Sequence, residues 1–178
     1  MDSGFIVNAV RRKYSGRTIF LPEVTLEDEY YSILARNDLV DRYGLPESDR
    51  ITAYEHDSEY TFSNGSQYRR IDLLGLDSQH KWTAVEIKVS RADFARETYE
   101  KRHPWIKKTH RFVYAVPEGL VTPDEIPNGC GLWTIADNGQ VTVAKRARVN
   151  RSRQEFPETF LRTLFWRLYL SDNGRSGR

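Results

Sequence analysis

Residues 69–94 read RRIDLLGLDSQHKWTAVEIKVSRADF, two apolar runs separated by a polar turn. The alternation on each side predicts strands at 68–76 and 81–89 joined as a β-hairpin. Alternate strand residues share a face, so Trp82, Ala84, Glu86 and Lys88 lie together on one side. Thr83, Val85, Ile87 and Val89 lie on the other, toward a packed layer. On the first strand Arg70, Asp72 and Leu74 share a face. A turn centred on Gln79 sets Asp72 directly opposite Glu86, with Cβ atoms roughly 5 Å apart. Like charges placed so are destabilising unless something compensates them. A divalent cation does this, and oxygen ligands suit Mg²⁺. Lys88, two residues along the same face, could orient a water or offset charge at a phosphorus. The competing account is a salt-bridged hairpin in which Lys88 neutralises the acids.

Outward from the hairpin, the signals alternate. Ser90 caps a helix, with Asp93 three residues on as in a capping box, and the helix carries RADFARETYEKR and stops before Pro104. RFVYAVP at 111–117 is a short apolar run typical of a buried strand. GLWTIA (131–136) and QVTVAKR (140–146) form a hairpin around Asp137-Asn138-Gly139. A last helix covers about 157–170, with Phe160, Leu161, Leu164, Phe165 and Leu168 on its apolar face. The tail at 171–178 is expected to be disordered. On the N-terminal side, residues 1–24 are mixed. Residues 25–45 read as a helix with Thr25 as cap and Leu26, Tyr30, Ile33 and Leu34 as its stripe. A strand is expected at 51–56, then a turn at Asn64-Gly65. The order α-β-β-β-α-β, followed by a hairpin and a closing helix, predicts an α/β domain: a mixed sheet flanked by helices.

The chain has 178 residues, 39% hydrophobic and 29% charged, which fits a single globular domain over 1–178 with its core at about 25–147. A lone cysteine, Cys130, excludes an internal disulfide and reads as a buried small residue. No apolar run reaches the ~20 residues of a membrane span, and the charges near the N-terminus follow the apolar stretch rather than precede it. The expectation is a cytoplasmic protein with no membrane partner. Net charge is +2, but residues 1–60 carry 7 Lys/Arg against 12 Asp/Glu, and residues 61–178 carry 20 against 13. The basic part hints at a polyanion partner; an ordinary solvated surface is the plain alternative. Nucleotide-loop, dinucleotide and hydrolase-elbow motifs are absent.

The ID of RRIDLLGL and the EIK of TAVEIK resemble the core motif of the PD-(D/E)xK nuclease superfamily, the restriction-endonuclease-like fold. More narrowly, VEIKVSRADF followed by a basic helix, RFVYAVPEGL and GLWTIAD is similar to the MmcB-like DNA repair nucleases. The resemblance covers about residues 50–147. It departs at Val89, where related motifs carry serine, and in RETYEKRHPW, where only Lys101 and Trp105 echo an acid-lysine-tryptophan arrangement. The resemblance implies a DNA endonuclease using Mg²⁺ or Mn²⁺. Asp72 and Glu86 would be metal ligands with the backbone carbonyl of Ile87, and Lys88 the catalytic lysine. A further acid is expected from Glu29, Glu27 or Glu55, each of which reads equally as a local structural acid.

From Lys88 to Arg111 there are 8 Lys/Arg against 3 Asp/Glu. Arg70, Arg91, Lys101, Arg102, Lys107 and Lys108 are the expected DNA phosphate contacts. Trp105 reads as core rather than as a stacking platform. A second basic run, AKRARVNRSR at 144–153, is either another backbone-binding edge or an exposed linker. A homodimer through Phe165, Trp166 and Tyr169 is compatible with double-strand cutting, although packing in the core is the simpler role for that helix. Two rival functions stand beside the nuclease: a non-catalytic DNA-binding or adaptor module on the same fold, and an RNA-directed hydrolase, for which no RNA-binding signature appears.

Overall fold

The computed structural model describes residues 1–28 and 68–173. Within them the order is α1 (Ser3–Lys13), β1 (Thr18–Glu27), β2 (Tyr68–Asp77), β3 (Trp82–Ile87), α2 (Arg91–Ala95), α3 (Tyr99–Lys108), β4 (Arg111–Pro117), a short 3₁₀ turn at Pro123–Glu125, β5 (Gly131–Ile135), β6 (Val141–Lys145) and α4 (Glu158–Asn173). The six strands form one mixed open sheet in the order β1-β2-β3-β4-β5-β6. The β1–β2, β2–β3 and β5–β6 pairs are antiparallel, and β3–β4 and β4–β5 are parallel. No helix among the described residues is long and apolar enough to cross a membrane.

Each face of the sheet has its own core. On one, Ile6, Ala9 and Val10 of α1 pack with Leu73, Val85, Ile87, Val113, Trp133 and Ile135. Their i, i+3, i+4 spacing is the apolar stripe of a helix lying on a sheet. Asp2 caps this helix by accepting from the Phe5 amide at 2.8 Å, and Arg11, Arg12 and Lys13 occupy its negative end. On the other face, Leu74, Ala84, Phe112, Tyr114 and Leu132 meet Trp105 of α3 and Leu164 of α4. Central β4 is buried on both sides, as its continuous apolar run predicts.

The predicted α-β-β-β-α-β order appears among the described residues, but with a different first helix and strand. Thr25, Leu26 and Glu27 belong to edge strand β1, not to a helix, and α1 lies in the stretch read as mixed. Leu21, Val24 and Leu26 are buried, with Leu74, Ile71 and Arg69 as their cross-strand partners. Strand pairing thus overrides the helical spacing that Leu26 shares with later residues. Pro22 is tolerated because β1 is an edge strand. Glu23, with φ +47°, turns the backbone left-handed there, and Arg167 of α4 donates to the carbonyls of Pro22 at 2.8 Å and Glu23 at 3.1 Å. The remainder of the expected 25–45 helix, the strand at 51–56 and the Asn64-Gly65 turn lie outside the described residues.

Three further corrections concern helices. The segment after the hairpin is two helices, and α3 runs through Pro104 to Lys108 rather than ending before it. α4 reaches Asn173, beyond its expected end at 170. Among the described side chains of α4 only Leu164 is buried and Phe160 partly so, whereas Leu161, Phe165 and Leu168 are exposed, as are Trp166 and Tyr169. The helix touches the sheet along one narrow line, so most of its apolar residues face away. Val89, just past β3, is also exposed, since the strand has ended.

Candidate active site

The hairpin forms in the predicted register. Leu73 pairs with Val85 and Leu76 with Trp82, so continuing by one residue sets Asp72 opposite Glu86. There the backbone ladder gives way to a side chain. Asp72 Oδ2 accepts the Ile87 amide at 2.7 Å, which fixes the carboxylate across the end of β3. Its Oδ1 takes no donor among the described residues. On the other side of β3 the Lys88 amide donates to the Ala115 carbonyl at 3.1 Å, holding Lys88 in line with β4.

Lys88 is the centre of charge. Its ammonium lies 2.9 Å from Glu86 Oε1 and 2.9 Å from Glu97 Oε2, with only 7% of its side chain exposed. The Glu86 contact is a hydrogen bond; the Glu97 contact is an ion pair lying off good hydrogen-bond geometry. Burial pulls the Lys88 pKa down, but the two carboxylates outweigh it and hold the group above the ordinary lysine value. Lys88 is therefore a fixed ammonium. Glu86 is pushed up to about 7, first by burial and then by the Asp72 charge, against which Lys88 pulls down. Burial also raises Asp72, opposed by the Ile87 amide and by Lys88 and Arg70. The site is thus short of positive charge on the side where Asp72 and Glu86 face each other.

Glu97 was not foreseen. It sits in the three-residue break between α2 and α3. Ser90 caps α2 by accepting from the Asp93 amide at 3.1 Å, as expected. The helix then ends in i→i−3 bonds, Arg96 to Asp93 and Glu97 to Phe94, and Thr98 is extended. This turn carries the Glu97 carboxylate back onto Lys88. Lys101 donates to the Arg96 carbonyl at 2.9 Å and closes the break. In sequence, Glu97 reads as one acid in a basic helix; only the break gives it a role.

Asp72, Glu86 and Glu97 line one cleft of about 260 Å³ with Arg70, Lys101 and Tyr68. Of the expected phosphate contacts, Arg70 and Lys101 therefore reach the acids. Arg91 is exposed but engaged, with Glu125 at 2.6 Å and the Leu120 carbonyl at 3.0 Å. Arg102 stacks over Tyr99, and Lys107 is half-buried on the same helix. Lys108 is buried and donates to the Glu155 carbonyl at 3.3 Å, which removes it from the basic face. Trp105 is fully buried, as is Cys130, whose thiol burial pushes up to about 11. Of the candidate further acids, Glu27 pairs with Tyr68, four residues along β2 from Asp72. Four strand steps are about 13 Å. Glu29 and Glu55 lie outside the described residues.

Among the described residues, no three His, Cys, Asp or Glu side chains are grouped so as to hold a metal ion. The Asp72–Glu86 pair nonetheless suits Mg²⁺, which binds through one or two carboxylates and keeps its waters. Asp72 Oδ1 and Glu86 Oε2 are without donors among the described residues, and burial raises the pKa of both groups, that of Glu86 with help from the Asp72 charge.

No family model matches the chain, and no curated protein matches it. Among solved structures it is similar to the SPO1766 protein of unknown function from Silicibacter pomeroyi, with 22% identity, a TM-score of 0.44, and coverage of 66% of this chain and 73% of that one.

Proposed function

We propose that the protein is a divalent-cation-dependent nuclease with a restriction-endonuclease-like core, hydrolysing DNA phosphodiester bonds in repair or processing. One observation carries this reading: two crowded carboxylates and a buried lysine held by Glu86 and Glu97 meet at the carboxyl end of β3, beside a cleft lined by three further cations, Arg69 (paired with Asp28), Arg70 and Lys101. Carboxyl ends of strands are where open α/β sheets place their ligands.

Asp72 and Glu86 are the residues to hold Mg²⁺ or Mn²⁺, with the Ile87 carbonyl beside them. When bound, such an ion polarises a phosphoryl oxygen and makes water a better nucleophile. The rest falls to side chains. Asp72 is oriented by the Ile87 amide. Lys88, kept protonated by Glu86 and Glu97, offsets the negative charge that grows at phosphorus as water adds and the ester oxygen leaves. Arg70 and Lys101 grip flanking phosphates without reading sequence.

The rival reading, a non-catalytic DNA-binding or adaptor module, is favoured by the Lys88 bridge itself. An ammonium already neutralised by two acids is a self-sufficient structural link. The deciding experiment is cleavage of single-stranded, nicked, branched and duplex DNA with Mg²⁺, Mn²⁺ or EDTA, comparing wild type with folded Asp72→Ala and Lys88→Ala. Metal-dependent cutting lost in both variants supports the nuclease. Retained DNA binding with no cutting on any substrate supports the adaptor.

A further inference from the structure

A larger cavity, of about 720 Å³, lies under the segment that follows β6, near the start of β4. It is separate from the acidic cleft, with Phe112 as a shared wall. Its charge is of one sign, whereas acids and cations share the cleft. Arg111, Arg148 and Arg151 line it, and no aspartate or glutamate does. The basic run from 144 to 153 is therefore not a loose linker. Its backbone is tied at three points: the Arg148 amide to the Gly129 carbonyl, Asn150 to His110, and Gln154 to Lys107, each at 2.9 Å. The Asn150 side chain adds a bond to the Ile106 carbonyl at 2.9 Å. A fixed strap thus presents Arg148 and Arg151, whose guanidinium groups have no carboxylate or hydrogen-bond partner among the described residues.

His110 also lines the cavity, its Nδ1 accepting the Trp82 amide at 2.9 Å. Arg153, whose Nε lies 3.2 Å from His110 Nε2, is already held by Glu155 at 3.0 Å. His110 is thus a fixed wall, and the charged donors left for a ligand are those of Arg148 and Arg151.

We infer that this cavity binds a nucleoside monophosphate group. Arg148 and Arg151 suit the phosphate, which arginine binds through paired N–H donors. A bare phosphate would leave most of the volume empty; 300–1,000 Å³ is the range of small-molecule sites. Ile106 and Val149 supply an apolar surface for a planar base. Asn128, whose amide has no partner among the described residues, offers a donor and an acceptor to its edge. The group is either a free nucleotide or the terminal nucleotide of a strand. This inference does not rest on the nuclease reading, because it uses none of Asp72, Glu86 or Lys88.

The test is titration calorimetry in EDTA, on wild type, Asp72→Ala and the double variant Arg148→Ala/Arg151→Ala. The probes are adenosine 5′-monophosphate, inorganic phosphate, and one short oligonucleotide with and without a 5′-phosphate. Expected are saturable binding of the monophosphate by wild type and Asp72→Ala alike, and weakening of about tenfold or more in the double variant, as loss of charged hydrogen bonds predicts. Tighter binding of the 5′-phosphorylated strand than of the mononucleotide assigns the site to strand ends; the reverse assigns it to free nucleotides. Absence of saturable binding of both the monophosphate and the 5′-phosphorylated strand, equal binding by the double variant, or inorganic phosphate binding as tightly as the nucleotide overturns the inference.

Discussion

Glu86→Gln isolates the electrostatic cost of the site. Burial and the Asp72 charge push Glu86 up to about 7 from its ordinary value of 4.5. Between those values the folded state holds a proton that the unfolded chain releases, so stability falls as pH rises through this window and the penalty is complete above it. The difference of 2.5 units, at 1.36 kcal/mol each, sets a ceiling of about 3.4 kcal/mol. Water entering the open cleft reduces it, and about 1–3 kcal/mol is the expected range. Glutamine is nearly isosteric, keeps an oxygen for the Lys88 ammonium and carries no charge. Lys88 also keeps Glu97. Urea unfolding of both proteins in EDTA at pH 4.5 and pH 8.5 reads the effect. The variant should gain about 1–3 kcal/mol over wild type at pH 8.5 relative to its difference at pH 4.5. Adding Mg²⁺ at pH 8.5 should stabilise wild type more than the variant, since the ion neutralises the same crowding. A stability difference that does not change with pH would refute the account of Glu86.

Other consequences follow from the same geometry. Lys88→Met leaves two buried carboxylates uncompensated and should cost about 3–5 kcal/mol at pH 8.5, with a smaller loss at pH 4.5 where Glu86 is protonated; urea titrations at both pH values check it. Trp105→Ala should cost about 3–5 kcal/mol whatever the pH, because the indole is fully buried between the sheet and α4; a loss below about 1 kcal/mol would mean that this face is loosely packed. Arg70→Ala should weaken duplex DNA binding and reduce the slope of log K against log salt by about 1, measured by fluorescence anisotropy across a salt series. An unchanged slope would place Arg70 off the DNA path.

The hairpin, β4 and the β5–β6 pair were legible because each is bounded by strong punctuation and defined by short-range pattern. The turn residues around Gln79 and Asp137-Asn138-Gly139 fix where the chain reverses, and Pro117 closes the apolar run of β4. The edge strand β1 was not legible. Leu26 shares helical spacing with Tyr30 and Ile33, and also strand spacing with Val24; a partner strand more than forty residues away decides between them. α1 is a short helix whose buried stripe is Ile6, Ala9 and Val10, and tertiary contact with β1, β4 and β6 makes up for what its length lacks. The break after Ala95 has no glycine or proline to mark it.

The site divides along the same line. Asp72, Glu86 and Lys88 were readable because their relation is one of register within a hairpin, and register is a local property. Glu97 was unreadable because its relation to Lys88 depends on where a helix breaks. Its presence changes the chemistry. With Glu86 alone, Lys88 would be one half of a pair, and a cation arriving at Glu86 would compete directly for its only counter-charge. With Glu97 on the other side, Glu86 can turn toward a cation while Lys88 keeps a carboxylate and stays protonated. Glu97 thus makes the acid pair and the lysine separable. If that is its function, Glu97→Gln should leave the fold intact yet make a bound divalent ion and the Lys88–Glu86 contact mutually exclusive. The observable is Mg²⁺ affinity by calorimetry at pH 8.5: about tenfold weaker than wild type if Lys88 then holds Glu86 back, unchanged if Glu97 only fills space.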